Sequence, residues 1–507
     1  MKTSGVNHGR SSTKVPASTA AASGTLIVGA ERVGTAERLT FKTVNPARPA
    51  DVVGIFPQST PDDVRRAVDA AAAVSTAWSQ TSSIDRGAVL YRAAELLESR
   101  SAQASDLVVR EVGKSRPEAT GEVTRAVDIL RFFAGCGSAA TGDMYPSRTA
   151  RSYIYSARLP LGPVAVITPW NFPLAIPLWK IAPALIYGNT VVFKPAEEAS
   201  SVASLLAEVL LAAGVPDGVL NVLHGDGRMI GESLFAQPGL RGVTFTGSTP
   251  VGRQVELTAV ANGLKCQVEL GGSNATIVLD DASVEAAADL VVAAAMKYAG
   301  QKCTATSRVI ATPGIFPRLR EAIVSRVQAL RVGDPSGSDQ VDVGPVISAQ
   351  ARDQIGAGLR RAVEAGARVL TGGHVIGEDG LDDGYFFAPT VLDRVRPDSE
   401  LGQEELFGPV LCLLPAGDVD EAIRLANDVR YGLAAAIVTN DLDLASSCVD
   451  RLEVGVIKLN SETTGLEPHV PFGGLKDSGS HFPEQGSAAR DFFTRSKTVY
   501  VQPGTSG

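Results

Sequence analysis

The sequence predicts an α/β fold built on a parallel, doubly wound sheet. Short apolar runs alternate with helical stretches between about residues 160 and 280, and a second such pattern begins near residue 275. The chain has 507 residues, enough for two or three domains with substantial cores. Alternating strands and helices favour parallel strands joined by crossover helices.

The first pattern predicts five strands, at residues 164–168, 190–193, 219–223, 242–245 and 265–269. Residues 177–186 are apolar almost all round, which favours a buried helix. Residues 200–213 are amphipathic and precede Gly214, a residue typical of helix ends. Residues 48–134 are expected to be mostly helical and to pack on this lobe.

The second pattern predicts strands at residues 275–279, 432–439 and 456–460, which should form a separate α/β lobe. The final segment, residues 492–501, ends in a β-prone run without an evident local partner. An exposed strand edge favours aggregation, so this strand needs a partner.

Composition favours small-molecule partners. The net charge of −8 disfavours nucleic-acid and anionic membrane surfaces, and no apolar run is long enough to span a membrane. The five cysteines, at 136, 266, 303, 412 and 448, lack Cys-x-x-Cys spacing, and the five histidines are dispersed. Neither a disulfide framework nor a metal site is indicated, and a reducing cytoplasm fits best. Residues 1–24 are rich in Ser, Thr, Ala and Gly and are expected to be a disordered extension, although a remnant of a targeting segment remains open.

Two residues suggest covalent catalysis. Cys303 lies in YAGQKCTATSR, residues 298–308, and Glu269 lies in ELGG, residues 269–272. A thiolate can attack a carbonyl carbon, and a carboxylate can later activate water against the resulting thioester. Taken alone, such a cysteine is more often a small buried hydrophobic residue, so the decision depends on the surrounding motifs.

Four further motifs accompany these two residues, three before Glu269 and one after Cys303 in the chain. They are ITPWNFP at 167–173, TVVFKPAE at 190–197, FTGSTPVG at 245–252 and EELFGP at 404–409. With the cysteine and glutamate motifs, this order resembles the aldehyde dehydrogenase superfamily over about residues 25 to 500. The resemblance implies NAD(P)-dependent oxidation of a small-molecule aldehyde. A catalytically silent binding member would be expected to have lost Cys303, Asn171 or Glu269, and all three are present.

The resemblance also implies a domain plan. Residues 25–143 and 163–273 would form a Rossmann-type cofactor domain, and residues 274–461 an α/β catalytic domain. Residues 144–162 and 487–507 would form a small β oligomerisation arm, in which the C-terminal strand pairs with residues 144–162 and completes a neighbouring subunit's sheet. A homodimer or homotetramer is expected.

The resemblance assigns four catalytic residues. Cys303 is the nucleophile, and the Asn171 amide with the Cys303 backbone N–H would stabilise the oxyanion, although Asn171 could instead be a turn residue. Glu269 would activate water, so a free acid and not acyl-coenzyme A is expected. Lys180 matches a lysine in a proton path from the base, with a salt-bridged helix lysine as the alternative.

The cofactor is expected to be NAD or NADP, with NAD favoured. Lys194 and Glu197 would bind the adenosine ribose, where a carboxylate repels a 2′-phosphate, although Lys194 alone could be a solvated loop residue. Ser248 would cap the helix that holds the pyrophosphate. Glu405 and Phe407 would contact the nicotinamide ribose and ring, with Phe407 as plain core the alternative. The remaining predicted contacts are Ile167, Thr168, Pro169, Trp170, Gly227, Gly231, Phe245, Gly247, Leu270 and Gly271.

The substrate resemblance is to the 2-oxoglutarate semialdehyde (2,5-dioxopentanoate) dehydrogenase branch. A carboxylate-tailed aldehyde needs a cation, and Arg125 and Lys302 are the candidates. Trp179, Leu466 and Phe472 would form an apolar wall, and Thr304 would also contact substrate. Ser273 and Asn274 depart from the family pattern, so succinate semialdehyde and aromatic or aliphatic aldehydes stay open.

Overall fold

The computed structural model describes residues 21–139, 142–338, 340–378 and 380–503. The strands in these residues are β1 (Ala22–Ser23), β2 (Leu26–Val28), β3 (Glu31–Val33), β4 (Thr40–Asn45), β5 (Arg48–Pro57), β6 (Met144–Tyr145), β7 (Tyr153–Pro160), β8 (Pro163–Ile167), β9 (Thr190–Lys194), β10 (Leu220–Val222), β11 (Gly242–Thr246), β12 (Lys265–Glu269), β13 (Asn274–Val278), β14 (Thr306–Ala311), β15 (Arg368–Thr371), β16 (Thr390–Asp393), β17 (Val410–Pro415), β18 (Tyr431–Gly432), β19 (Ala434–Val438), β20 (Val456–Leu459), β21 (Leu475–Lys476) and β22 (Thr494–Val501).

The α-helices in the same residues are α1 (Pro61–Gln80), α2 (Ser83–Ser99), α3 (Ser101–Val112), α4 (Arg116–Gly135), α5 (Ala175–Ile186), α6 (Ser200–Ala212), α7 (Gly227–Phe235), α8 (Thr249–Ala261), α9 (Val284–Met296), α10 (Phe316–Gln328), α11 (Ala349–Glu364), α12 (Glu400–Gln403), α13 (Val419–Asn427), α14 (Leu442–Val449) and α15 (Ala488–Phe493). Short 3₁₀ turns occur at Cys136–Ser138, Glu197–Ala199 and Lys297–Gly300. No described helix is long and apolar enough to cross a membrane.

The first seven-stranded sheet has the order β12-β11-β8-β9-β10-β2-β3. Its strands from β12 to β10 are parallel, and β2 and β3 add an antiparallel edge. All five strands predicted for this region are present. The chain runs from β8 through β9 to β10 and then returns to β11 on the other side of β8. This reversal of strand order marks the edge at which such sheets bind ligands.

The second seven-stranded sheet has the order β15-β16-β17-β14-β13-β19-β20. Only the β15–β16 pair is antiparallel. The strands predicted at 275–279 and 456–460 correspond to β13 and β20, while the predicted strand at 432–439 is divided into β18 and β19. Buried apolar side chains of β13, β14, β17 and β19 form the core of this unit together with α9 and α10.

Helices α1 to α4 account for most of the region predicted to be helical. Thr60 caps α1 by accepting from the Asp63 N–H at 3.2 Å, and the Asp63 carboxylate accepts in return from the Thr60 N–H at 2.9 Å. The prediction was wrong at the start of this region, because residues 48–57 form strand β5 and pair antiparallel with β4. Val53 and Phe56 of β5 are buried, so the strand contributes to the core.

Helix α5 is buried along its whole length, as its apolar sequence predicts. It packs against α4 and the first sheet. Its one ionisable residue, Lys180, is fully buried. This helix therefore carries a charge into the interior beneath the loop that holds Asn171.

The C-terminal strand has the partner that the resemblance implied. All eight residues of β22 pair antiparallel with β7, from Thr494 opposite Pro160 to Val501 opposite Tyr153. Strand β6 extends this sheet to three strands.

Most of the predicted N-terminal extension lies outside the described residues. Of its last residues, Ala22 and Ser23 pair with Gly54 and Ile55 of β5, which places their backbone in a sheet and not in a disordered segment.

Candidate active site

A groove of about 1000 Å³ follows the carboxyl edge of the first sheet. It lies at the reversal of strand order, between the loops that follow β8, β9 and β11. Of the fifteen predicted cofactor contacts, eleven line this groove: Ile167, Thr168, Pro169, Trp170, Lys194, Glu197, Gly227, Gly231, Phe245, Gly247 and Ser248. The volume and position suit an extended dinucleotide.

The middle of the groove is the N-terminus of α8. Ser248 is the N-cap residue of this helix, and its hydroxyl makes no capping hydrogen bond. Pro250 occupies the first turn, where a missing N–H costs nothing. The free hydroxyl and the N–H groups of the first turn can therefore bind a pyrophosphate.

Lys194 and Glu197 line one wall of the groove. Burial lowers the pKa of Lys194, although the negative charges of Glu197, Glu198 and Asp226 oppose this change. Burial raises the pKa of Glu197, and the Lys194 charge opposes it. Each residue thus stabilises the charged form of the other.

Four predicted cofactor contacts lie outside the groove. Glu405 and Phe407 line a small neighbouring cavity together with Gly272 and Lys302, and the Phe407 ring contacts Trp170 edge to face at 5.7 Å. Leu270 is buried, and a side chain at Gly271 would clash with the Glu405 carboxylate. These residues connect the groove to the loop of Cys303. Burial raises the pKa of Glu405 to about 8.

The loop before Cys303 has an unusual backbone. Tyr298, Ala299 and Gly300 all have left-handed φ values, 61°, 51° and 70°. A side chain at Gly300 would clash with the carbonyl of Gly408, so this position requires glycine. Left-handed conformations at two non-glycine residues are strained, and such strain is concentrated at functional sites.

Asn274 fixes the other side of the same loop. Its amide donates to the carbonyls of Cys303 at 2.7 Å and Ala305 at 2.8 Å, and its oxygen accepts from the Ala434 N–H at 3.0 Å. Asn274, one of the two departures from the family pattern, therefore supports the loop of Cys303.

Cys303 is only partly accessible to solvent. Burial, together with the carboxyl groups of Glu405, Glu269 and Glu484, raises the pKa of its thiol to about 12. The thiol is therefore protonated at neutral pH in the ligand-free protein, and its activation requires a base or a positive charge nearby.

Asn171 lies beside the Cys303 loop. Its Nδ2 donates to the Gln301 carbonyl at 3.0 Å, two residues before the nucleophile. An amide nitrogen carries two hydrogens, so one remains for an oxyanion. Asn171 is buried, and its Oδ1 has no hydrogen-bond partner in the described chain. A role as a simple turn residue does not account for this arrangement.

Glu269 ends β12 beside a buried ion pair. Its carboxyl is buried without a hydrogen-bond partner in the described part of the chain, and burial together with the Glu484 charge raises its pKa well above the ordinary value. Lys180 forms an ion pair with Glu484 and donates to Thr244 Oγ1 at 2.8 Å. Lys180 is thus salt-bridged, as one reading of the sequence held, and its charge also opposes the rise in the pKa of Glu269.

The predicted substrate residues divide into two groups. Trp179 and Phe472 are buried with ring centroids 6.0 Å apart, Leu466 is half-buried, and Thr304 is buried with its carbonyl accepting from Thr463 Oγ1. Arg125 is half-buried and pairs with Glu467 at 3.7 Å. Lys302 is 2% exposed, its Nζ has no hydrogen-bond partner among the described residues, and the nearest ring is Tyr298 at 5.3 Å. Of the two candidate cations, Lys302 is the one that forms no ion pair with a carboxylate in the part of the chain that the structure describes.

A protein-family model, the aldehyde dehydrogenase family, matches residues 33–499. The chain belongs to the aldehyde dehydrogenase family. It is 43% identical over 462 residues to an alpha-ketoglutaric semialdehyde dehydrogenase from Bacillus subtilis, covering 91% of this chain and 94% of the relative. It is 40% identical to a 2,5-dioxopentanoate dehydrogenase from Saccharolobus solfataricus, covering 91% and 96%. A betaine aldehyde dehydrogenase from Staphylococcus aureus in complex with NAD⁺ has a TM-score of 0.92 at 30% identity, covering 95% of each chain.

Members of the aldehyde dehydrogenase family are NAD(P)-dependent oxidoreductases, and this chain has the family's fold and reaction class. Sequence reasoning missed two residues that shape this site, Glu484 and Asn274. Glu484 lies 304 positions from its partner Lys180, and no local pattern marks it. Asn274 was noted only as a departure from the family, although an asparagine two positions after a Gly-Gly pair is a reasonable candidate for a backbone contact.

Proposed function

We propose that this aldehyde dehydrogenase oxidises a carboxylated semialdehyde, 2-oxoglutarate semialdehyde, to the dicarboxylate. The observation that carries the proposal is the buried ammonium of Lys302, which has no hydrogen-bond partner among the described residues and is adjacent to Cys303 in the chain. The names of the relatives from Bacillus subtilis and Saccharolobus solfataricus support the same substrate. A buried ammonium without a partner is costly, and a substrate carboxylate would offset that cost.

Cys303 forms the covalent bond in this reaction. The Cys303 thiol releases its proton to solvent and its sulfur attacks the aldehyde carbon, and the new oxyanion is stabilised by the remaining Asn171 N–H and the backbone N–H of Cys303. NAD(P) bound in the groove lined by Lys194, Glu197 and Ser248 would supply the hydride acceptor for this oxidation. The adduct becomes a thioester on Cys303.

Glu269 completes the turnover by taking a proton from the water that attacks the thioester. Burial and the Glu484 charge raise the pKa of Glu269, which favours proton uptake from water. Glu269 then returns this proton to the Cys303 sulfur as the C–S bond breaks, and the ion pair of Lys180 and Glu484 lies next to it. Hydrolysis releases the carboxylic acid and restores the thiol.

The preferred cofactor is NAD. Glu197 lies on the wall of the groove where the adenosine ribose would bind, and its carboxylate repels a 2′-phosphate. Arg228 lines the same part of the groove but already pairs with Glu232 at 3.0 Å. Its side chain is largely exposed, so it offers only weak compensation for a 2′-phosphate.

The test is a panel of aldehydes followed by absorbance at 340 nm. The panel contains 2-oxoglutarate semialdehyde, succinate semialdehyde, butanal and benzaldehyde, each with NAD and with NADP. We expect the highest kcat/KM for 2-oxoglutarate semialdehyde with NAD. Equal or higher kcat/KM for butanal or benzaldehyde would reject the carboxylated substrate, and a preference for succinate semialdehyde would keep the anchor but change the chain length.

We further propose that the enzyme is a homodimer or homotetramer of a reducing, cytoplasmic compartment. The three-stranded sheet of β6, β7 and β22 supports the assembly, because its outer strands leave edges that a second subunit can cover. The five cysteines are all free thiols, which supports the compartment. Sedimentation of the purified protein tests the oligomer.

A further inference from the structure

A buried ion pair links the two loops that carry the catalytic groups. Lys114 follows α3, and Glu122 lies on α4; their side chains are 3% and 0% exposed, and Lys114 Nζ is 2.5 Å from Glu122 Oε2. Neither residue belongs to the covalent reaction described above. Burying both charges costs more than a well-packed apolar pair would, so stability alone does not explain the pair.

Glu122 fixes the loop of Asn171. Its second carboxylate oxygen, Oε1, accepts from the backbone N–H groups of Leu174 at 2.9 Å and Ala175 at 3.2 Å. These are the N–H groups at the start of α5, three and four residues after Asn171. A carboxylate at a helix N-terminus is favoured by the exposed N–H groups and the helix dipole.

Lys114 fixes the turn that leads to Cys303. Its ammonium lies over two aromatic rings, 4.0 Å from the centroid of Phe172 and 4.4 Å from that of Tyr298. Phe172 is the neighbour of Asn171, and Tyr298 begins the left-handed run before Cys303. The two rings also contact each other at 5.0 Å. The ammonium therefore bridges one ring from each loop.

A second carboxylate of α4 strengthens the same connection. Glu118 Oε1 accepts from the Tyr298 backbone N–H at 2.8 Å, and Glu118 Oε2 accepts from the Ser115 N–H at 2.9 Å. The residues around this connection line one small cavity: Val112, Gly113, Lys114, Trp170, Asn171, Tyr298 and Gln301. Helix α4 is thus bonded to both loops, close to the point where they meet.

We propose that Lys114 and Glu122 are positioning residues that set the placement of the Asn171 amide relative to Cys303. The pair acts through Phe172 and Tyr298 and touches neither substrate nor cofactor. The inference rests on the proposed roles of Asn171 and Cys303 and is independent of which aldehyde is oxidised. An oxyanion donor moved by about 1 Å can cost a hundredfold in rate, so a small shift of either loop should slow acylation.

The test compares Lys114→Met, Glu122→Gln and the double variant in the full-length enzyme with an aldehyde that the wild type oxidises. For Lys114→Met we expect the rate constant of the hydride burst at saturating NAD to fall about ten- to a hundredfold, with the Kd for NAD within about twofold. The groove contains neither residue, so cofactor binding should be preserved. The control is Arg38→Met, which breaks an ion pair to the buried Asp63 at 2.6 Å away from both loops and should lower Tm without changing the burst.

The double variant distinguishes a positioning role of the pair from the effect of leaving one buried charge without its partner. Glu122→Gln keeps an oxygen for the two N–H groups but leaves the ammonium unpaired, whereas the double variant removes both charges. We expect the double variant to recover Tm but not the burst rate, because the contact with the two rings is still missing. Full recovery of the burst in the double variant, or a burst within about twofold of wild type in Lys114→Met, would overturn the proposal. If Lys114→Met lacks a cooperative thermal transition, the rate constant of the hydride burst in the double variant and in Glu122→Gln tests the proposal instead.

If the proposed substrate is wrong, the kinetic result is different from the one that would overturn the positioning role. A wild-type enzyme that prefers butanal would reject the carboxylated substrate, yet its burst would still report on the pair. The positioning inference fails only when the variants keep the wild-type burst or the double variant regains it.

Discussion

Replacing Lys302 by Met should lower kcat/KM for carboxylated aldehydes much more than for uncharged aldehydes. If Lys302 binds the substrate carboxylate, the charge-assisted hydrogen bond contributes roughly 1.5–3 kcal/mol, or about ten- to a hundredfold in kcat/KM. Lys302→Met should lose that factor for 2-oxoglutarate semialdehyde and little for butanal. Arg125→Met is the matched control, because Arg125 is half-buried and already pairs with Glu467.

The same anchor should depend on pH. Burial lowers the pKa of Lys302 from its ordinary 10.5 to about 8, while Glu462 and Glu118 oppose the change. The ammonium is therefore charged below about pH 8 and is lost as the pH rises through that value. In the wild type, the ratio of kcat/KM for the semialdehyde to that for butanal should fall above pH 8. In Lys302→Met this ratio should be low and flat.

The free energies of unfolding of the wild type and of Lys302→Met provide an independent measure of the buried charge on Lys302. Because the pKa of Lys302 is lower in the folded state, its charged form destabilises the fold below pH 8, and this cost disappears as the pH approaches 10.5. The difference between 10.5 and about 8 corresponds to roughly 3 kcal/mol, so Lys302→Met should raise the free energy of unfolding by up to this amount at pH 7. Urea unfolding at pH 7 and pH 10 measures the change. Equal losses of kcat/KM for both aldehydes would refute the anchor, even if the stability gain is found.

Three further predictions concern the reaction and the cofactor. Cys303→Ala should abolish dehydrogenase turnover while NAD still binds, and activity above about a hundredth of wild type would contradict covalent catalysis. Glu269→Gln should keep the hydride burst but slow the steady state, because the amide cannot take a proton from water; loss of the burst itself would point to another role. Glu197→Ser should shift the preference towards NADP by removing a negative charge from the ribose wall, and a wild type that already prefers NADP about tenfold would contradict this reading.

The five parallel strands of the first sheet, and β13, β19 and β20 of the second, could be predicted because each is a short apolar run between turn residues. The failures occurred where burial is set by distant partners. Strand β5 was read as part of a helical region, although its pairing with β4 and the burial of Val53 and Phe56 make it a core strand. Ala22 and Ser23 have no apolar pattern at all, and only their pairing with Gly54 and Ile55 defines them as a strand.

The residues proposed for the chemistry could be named from the sequence, whereas the residues that hold their loops could not. Cys303, Glu269 and the groove residues stand in short motifs, so each could be proposed from its neighbours in the chain. Glu122 and Lys114 stand in an ordinary amphipathic region, and their contacts with Phe172 and Tyr298 exist only after helix α4 has packed against two distant loops. Long-range contacts of this kind are not encoded in local spacing, and a single sequence therefore does not show them.

The protonation states of Cys303 and Glu269 are electrostatically linked. Each must lose a proton, yet the Glu269 charge is among the causes that raise the pKa of Cys303 to about 12. Two buried negative charges close together are unfavourable, so thiolate and carboxylate should not both be populated in the resting enzyme. Formation of the thioester removes this conflict, because an acylated sulfur carries no charge. The Glu269 carboxylate can then form without a thiolate beside it, against the burial and the Glu484 charge that raise its pKa.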